Sequence, residues 1–130
     1  MKSLRYVRFV VAEIDKQSSQ RSGLLRALGR LEDELSEVEA SQAKAAFKWF
    51  NDHLPIPDRF ARSGRWHPTS VALSWFKDTA TDHIAWMWEV AAILDAHDVK
   101  TEMIRTERPG YILYEDEFQI TAEPFADTPT

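Results

Sequence analysis

A chain of 130 residues, 44% apolar and 12% aromatic, is long enough to bury one continuous core and is expected to fold as one domain without staples. It contains no cysteine, which excludes disulfides, thiolate-bound zinc and a cysteine nucleophile. A formal net charge of -5 argues against bulk affinity for nucleic acid, and no stretch approaches the roughly 20 apolar residues of a membrane span.

The apolar run Phe9–Ala12 is too short for a signal-peptide core, so a soluble, cytoplasmic protein with no membrane partner is expected. Charge is uneven along the chain. Lys2, Arg5, Arg8, Lys16, Arg21, Arg26 and Arg30 crowd the beginning, whereas Glu107, Glu115, Asp116, Glu117, Glu123 and Asp127 crowd the end.

Leu4–Ile14 alternates Tyr6, Arg8, Val10 and Ala12 with Val7, Phe9, Val11 and Glu13, and β-branched and aromatic residues dominate. That predicts a strand with two partly apolar faces, placed inside a sheet. The polar stretch Asp15–Ser22 reads as a loop that ends in helix-capping chemistry at Ser18, Ser19 or Ser22.

From Leu24 to Leu54, Leu24, Leu28, Leu31, Leu35, Val38, Ala45 and Trp49 fall three and four apart, with Gln42 the one polar position in the seam, close to a heptad repeat. One long amphipathic helix is expected, with Glu32, Asp33, Glu34, Glu37 and Glu39 on its outer face. Its seam either packs on its own domain or pairs with a second copy or a partner helix. Gly29 weakens the pattern by about 1 kcal/mol relative to Ala, and Pro55 and Pro57 end it.

Pro57–Thr69 interleaves Arg59, Arg62 and Arg65 with Phe60, Trp66 and His67 around Gly64. Guanidinium groups beside aromatic rings hold phosphates and stack on bases, so Arg59, Arg62, Arg65, Trp66 and His67 are the anion- or nucleic-acid-binding candidates. The competing reading is a solvated loop anchored by Phe60 or Trp66.

Ser70–Phe76 alternates as a short strand would, although it also suits the opening of the next helix. That helix runs from Thr79 to His97, with Thr79 and Asp82 forming a capping box. Phe76, Ala80, Ile84, Met87, Ala91 and Leu94 make one apolar stripe, and Trp86, Trp88, Val90 and Ile93 widen it until the helix must be covered on most sides. Val99–Thr106 is a strand, and Pro109–Gly110 predicts a type II turn that returns the chain as Tyr111–Tyr114. Glu115–Glu117 turns or bulges the chain before a last strand, Phe118–Glu123. Residues 1–124 form the domain and 125–130 a loose tail.

Candidate chemistry is sparse. His83 and His97 lie on nearly one helix face but about 21 Å apart along the axis, and His53 and His67 have no ligand spacing. A site built from Asp78, Asp82 and His83 competes with a capped helix and a hydrogen-bonded histidine, so no metal and no cofactor is expected. Glu115 or Glu117 would serve as a general base or a ribose-binding carboxylate, against the plainer reading of solvated turn acids. No glycine-rich phosphate loop, Gly-x-Ser-x-Gly elbow or phosphate-binding lysine motif is present.

Trp49-Phe50-Asn51, Leu54-Pro55-Ile56-Pro57, Ser74-Trp75-Phe76-Lys77 and Arg108-Pro109-Gly110-Tyr111, followed by Tyr114 to Gln119, resemble a short family of uncharacterised bacterial or phage proteins. The resemblance brings no activity with it. The strand-helix-strand order with Tyr-Glu-Asp-Glu on a late strand is also similar, at the level of fold, to compact ADP-ribosyltransferases. Their early arginine and Ser/Thr motif would fall on Arg8 and Ser74.

The expected architecture is α+β: two main helices on one face of a small mixed or antiparallel sheet of four or five strands. The expected function is a small protein-binding regulator or inhibitor, of the kind used in phage–host or toxin–immunity conflict. Its contact residues would be Phe60, Trp66, Glu115, Asp116 and Glu117, since tryptophan and arginine anchor interfaces. The rival is a nucleotide- or nucleic-acid-acting enzyme that grips phosphate with Arg59, Arg62 and Arg65. A homodimer through the long first helix is the third reading.

Overall fold

The computed structural model describes residues 5–15, 20–54 and 72–130. The chain order is β1 (Tyr6–Asp15), β2 (Gln20–Gly23), α1 (Leu24–Arg30), a 3-10 turn (Glu32–Glu34) and α2 (Glu37–His53). It continues with β3 (Leu73–Lys77), α3 (Thr81–Ala96), β4 (Thr101–Thr106), β5 (Tyr111–Glu115) and β6 (Gln119–Glu123). The arrangement is α+β as expected, but the sheet has six strands, all antiparallel, and three helices pack with it.

β1 organises the sheet. β4 takes one of its edges from Tyr6 to Val11, and the other edge is shared by β3 at Tyr6 and Val7 and by β2 from Val10 onward. β3 then pairs with β6, and β6 with β5. Period-two alternation in β1 gives both faces an apolar set. Val7 and Phe9 join Phe76 and the helix residues Leu24, Leu28, Phe50, Met87, Val90 and Leu94 in the main core. Val10 belongs to a second cluster with Leu73, Trp75, Ile104, Ile120 and Ala122, which explains why neither face of this strand reads as polar.

α3 is the most deeply packed helix. His83, Met87, Val90, Ala91, Ile93 and Leu94 are all buried, so the apolar stripe faces the core as its spacing predicts. The cover is less complete than expected at Trp88, which is 51% exposed and only edges against Phe9. Nor does the Thr79–Asp82 capping box form. Ala80 is the N-cap with no side-chain bond, and Ala80 N–H donates instead to the Lys77 carbonyl at 2.9 Å. The other end closes cleanly: Asp98 N–H donates to Asp95 and Val99 N–H to Leu94, with Asp98 at φ 62°, the pattern of a Schellman motif.

Three further expectations are corrected. The loop assigned to Asp15–Ser22 is in part β2, because Gln20–Gly23 pairs back on β1, and α1 starts from Gly23 without a capping side chain. The single helix over Leu24–Leu54 is broken. Leu31 caps α1, and Ser36 opens α2 with a complete capping box: Glu39 N–H donates to Ser36 Oγ at 3.1 Å, and Ser36 N–H donates to Glu39 Oε1 at 2.9 Å. This break resets the helical phase, so Val38 of the expected seam is 68% exposed while Ala43, Ala46 and Phe50 point inward.

Finally, Pro109–Gly110 does not fold β4 onto β5. The first lies against β1 and the second against β6, so the segment is a crossing between separate parts of the sheet. Gly110 is still required there. Its φ is +127°, and a Cβ would sit 2.0 Å from the Glu123 carbonyl oxygen. The C-terminal segment is tied to this crossing, since Thr128 Oγ1 donates to the Arg108 carbonyl at 3.0 Å and the Arg108 guanidinium lies 5.3 Å from the Phe125 ring centre.

Candidate binding groove

The break between α1 and α2 creates an apolar concavity on this surface. At the break Leu31 N–H donates back to the Leu28 carbonyl at 3.1 Å, and Glu34 N–H to the Leu31 carbonyl at 2.8 Å, which winds the chain through the 3-10 turn. The Ser36 capping box then starts α2 in a new direction. Between the two helices lies a groove of about 560 Å³ lined by Leu28, Gly29, Glu32, Leu35, Ala40, Ala43, Lys44 and Phe47.

Each lining residue has a reason to be there. Leu28 and Ala43 are buried and attach the walls to the core, whereas Phe47 stands 40% exposed at the rim. Gly29 leaves the α1 wall open: a Cβ built on it meets nothing within 4 Å. Glu32 and Lys44 are the charged members of the lining. Apolar walls with two opposite charges at the margin suit the capture of an apolar side chain.

A second cleft, of about 380 Å³, runs between the antiparallel α2 and α3 and is lined by Glu39, Gln42, Ala46, Trp86, Glu89 and Ile93 among others. Its polar groups are already committed in part. Glu39 accepts from Ser36 N–H, and both its oxygens lie 3.0 Å from His97 Nε2. The Ser36 backbone bond and the His97 contact together hold the Glu39 carboxyl below its usual range. At the far end Trp86 stacks on Trp49 with ring centres 5.5 Å apart, and His83 is packed among Trp49, Phe50, Phe76 and Phe118. His83 Nε2 lies 2.9 Å from the His53 carbonyl oxygen, and its buried Nδ1 has no hydrogen-bond partner among the described residues.

The acids singled out from the sequence do three separate jobs. Glu115 is ion-paired with Lys77 at 2.6 Å. Asp116 is consumed by the β5–β6 turn: Oδ1 accepts from Phe118 N–H and Gln119 N–H, and Oδ2 from the Tyr114 hydroxyl and Gln119 Nε2. Burial alone would raise its pKa, but these four bonds outweigh burial and hold it below the carboxylate norm. Glu117 is exposed. Phe60, Arg59, Arg62, Arg65, Trp66 and His67 lie outside the described residues.

The remaining candidates are also placed in structural roles. Arg8 donates to the carbonyls of Thr130 and Arg21, and the Ser74 hydroxyl lies 3.3 Å from that of Thr121. Among the described residues no three His, Asp or Glu side chains gather as a metal centre would require. No helix of the described chain is long and apolar enough to cross a membrane.

The groove itself was missed from the sequence, yet a signal for it was present. Ser36-Glu37-Val38-Glu39 is a capping-box pattern in the middle of an apparently continuous heptad, and it marks where one helix must end and another begin. Comparison of the chain with protein-family models, with curated proteins and with solved structures gave no match.

Proposed function

We propose that this protein is a small polypeptide-binding regulator or inhibitor acting in the cytoplasm, and that it captures its partner in the groove between α1 and α2. The observation that carries this reading is the groove's construction: about 560 Å³ of mainly apolar space, rimmed by a half-exposed Phe47, left open on one wall by Gly29. Concave apolar sites with an aromatic at the edge are where interface energy concentrates. Glu115 and Asp116 of the acidic stretch at the end of β5 are engaged within the fold, which favours the groove as the contact surface.

A photoreactive phenylalanine analogue placed at position 47 tests the reading in cells. It should yield one identifiable polypeptide adduct, and the same analogue at exposed Trp88 should not. The adduct partner, once purified, should bind the wild-type protein and lose at least tenfold in affinity toward Phe47→Asp. Equal adducts from both positions, or binding indifferent to Phe47→Asp, would count against the groove.

A further inference from the structure

From the charges around the groove we infer what kind of polypeptide it takes: an amphipathic helix whose apolar side chains enter between α1 and α2 and whose lysines or arginines lie against the 3-10 turn. This inference rests on the binding reading above and adds the partner's chemistry and its orientation.

The 3-10 turn is wholly acidic. Glu32 lines the groove, Asp33 and Glu34 follow it in the same turn, and Glu37 stands at the start of α2; all four are exposed. None of them is ion-paired among the described residues. Some carboxylates elsewhere are paired, Glu102 with Arg21, Glu107 with Arg5, Asp52 with Lys48 and Glu115 with Lys77. The cation among the described lining residues is Lys44, which sits about two turns into α2, toward the Phe47 end. The groove is therefore negative at one end, with one positive charge toward the other. Such an arrangement orders a bound segment by direction as well as by sign.

The length also fits a helix. Ala40 to Phe47 spans seven steps, about 10 Å of α2, which is two turns of a facing helix and matches apolar anchors at i, i+3 or i+4, and i+7. A second copy of this chain meets the groove with the wrong balance, since its formal net charge is -5.

The test uses the purified full chain and two fluorescein-labelled probes of equal apolarity: a 14-residue leucine/lysine amphipathic helix and its leucine/glutamate counterpart. Fluorescence anisotropy should show the lysine probe binding at least tenfold more tightly, with affinity falling as salt rises. Gly29→Leu, which fills the open wall, should abolish binding while thermal unfolding stays at or above the wild-type temperature. Phe47→Gln gives the same readout from the rim if Gly29→Leu melts early. The combined variant Glu32→Lys, Asp33→Lys, Glu34→Lys should reverse the preference.

If both probes bind equally and Gly29→Leu removes both, the groove reading stands and the inference of a basic partner falls. Binding that is lost in the charge-reversed variant but survives Gly29→Leu is surface attraction alone and overturns both. Failure of both probes to bind overturns both as well. A dimer in sedimentation equilibrium that Gly29→Leu dissociates makes a second copy the occupant and overturns the inference.

Discussion

Single residues carry more of this fold than their exposure suggests, and Gly110 is the clearest case. A side chain there combines a left-handed backbone with overlap on the Glu123 carbonyl, so Gly110→Ala should cost about 3 kcal/mol, read by urea unfolding. Asp116 is the acidic counterpart. Asp116→Ala strands the Phe118 and Gln119 amides and should cost about 2 kcal/mol in the same measurement. Both Asp116 and Glu39 have carboxyls held below their unfolded values. The stability they contribute is therefore complete above the ordinary carboxylate range, and it is lost as pH falls through the lowered folded values. Glu39→Gln together with Asp116→Asn should flatten the acid limb of the stability–pH curve below about pH 4, where an unchanged limb would contradict the assignment. Gly110 was legible in the sequence as a residue needing a special backbone, because a Pro-Gly pair leaves few alternatives. Which strands it joins was not, since that depends on pairing partners far away in the chain.

At the scale of elements, caps decide the outcome more than periodicity does. Leu24, Leu28, Leu31 and Leu35 share the spacing of one helix, yet two hydrogen bonds between Ser36 and Glu39 stop it and restart it in another phase. Ser36→Ala should lower stability by about 1 kcal/mol and reduce the helical circular dichroism of α2. At the end of α3, Asp98 occupies the left-handed position where glycine is least strained, so Asp98→Gly should raise stability by about 1 kcal/mol. The strands were easier to read. β1 follows from alternation, because it buries apolar residues against its neighbours on both faces, whereas the β3 stretch also suited the opening of α3, and the four-residue β2 has no apolar alternation and forms only by pairing with β1. The exposed half of Trp88 was not legible either, since composition shows that α3 is apolar but not which elements stand beside it.

For the whole molecule, the organising fact is that β1 feeds two apolar clusters while the helices leave a groove on their outer side. The α+β class and the burial of α3 were readable, because an apolar stripe needs cover whatever the topology. The groove was not, because it arises where two helices diverge, and a continuous heptad conceals the divergence. The proposed contact surface is accordingly one made by a helix break, whereas Glu115 pairs with Lys77 and Asp116 holds the β5–β6 turn. The most direct measurement is a two-dimensional amide spectrum of the full chain titrated with the leucine/lysine helix. Shift changes concentrated in residues 28–47, absent from β5 and β6, are the predicted result; changes spread across the sheet, or confined to the α2–α3 cleft around Trp86 and Glu89, would contradict the account.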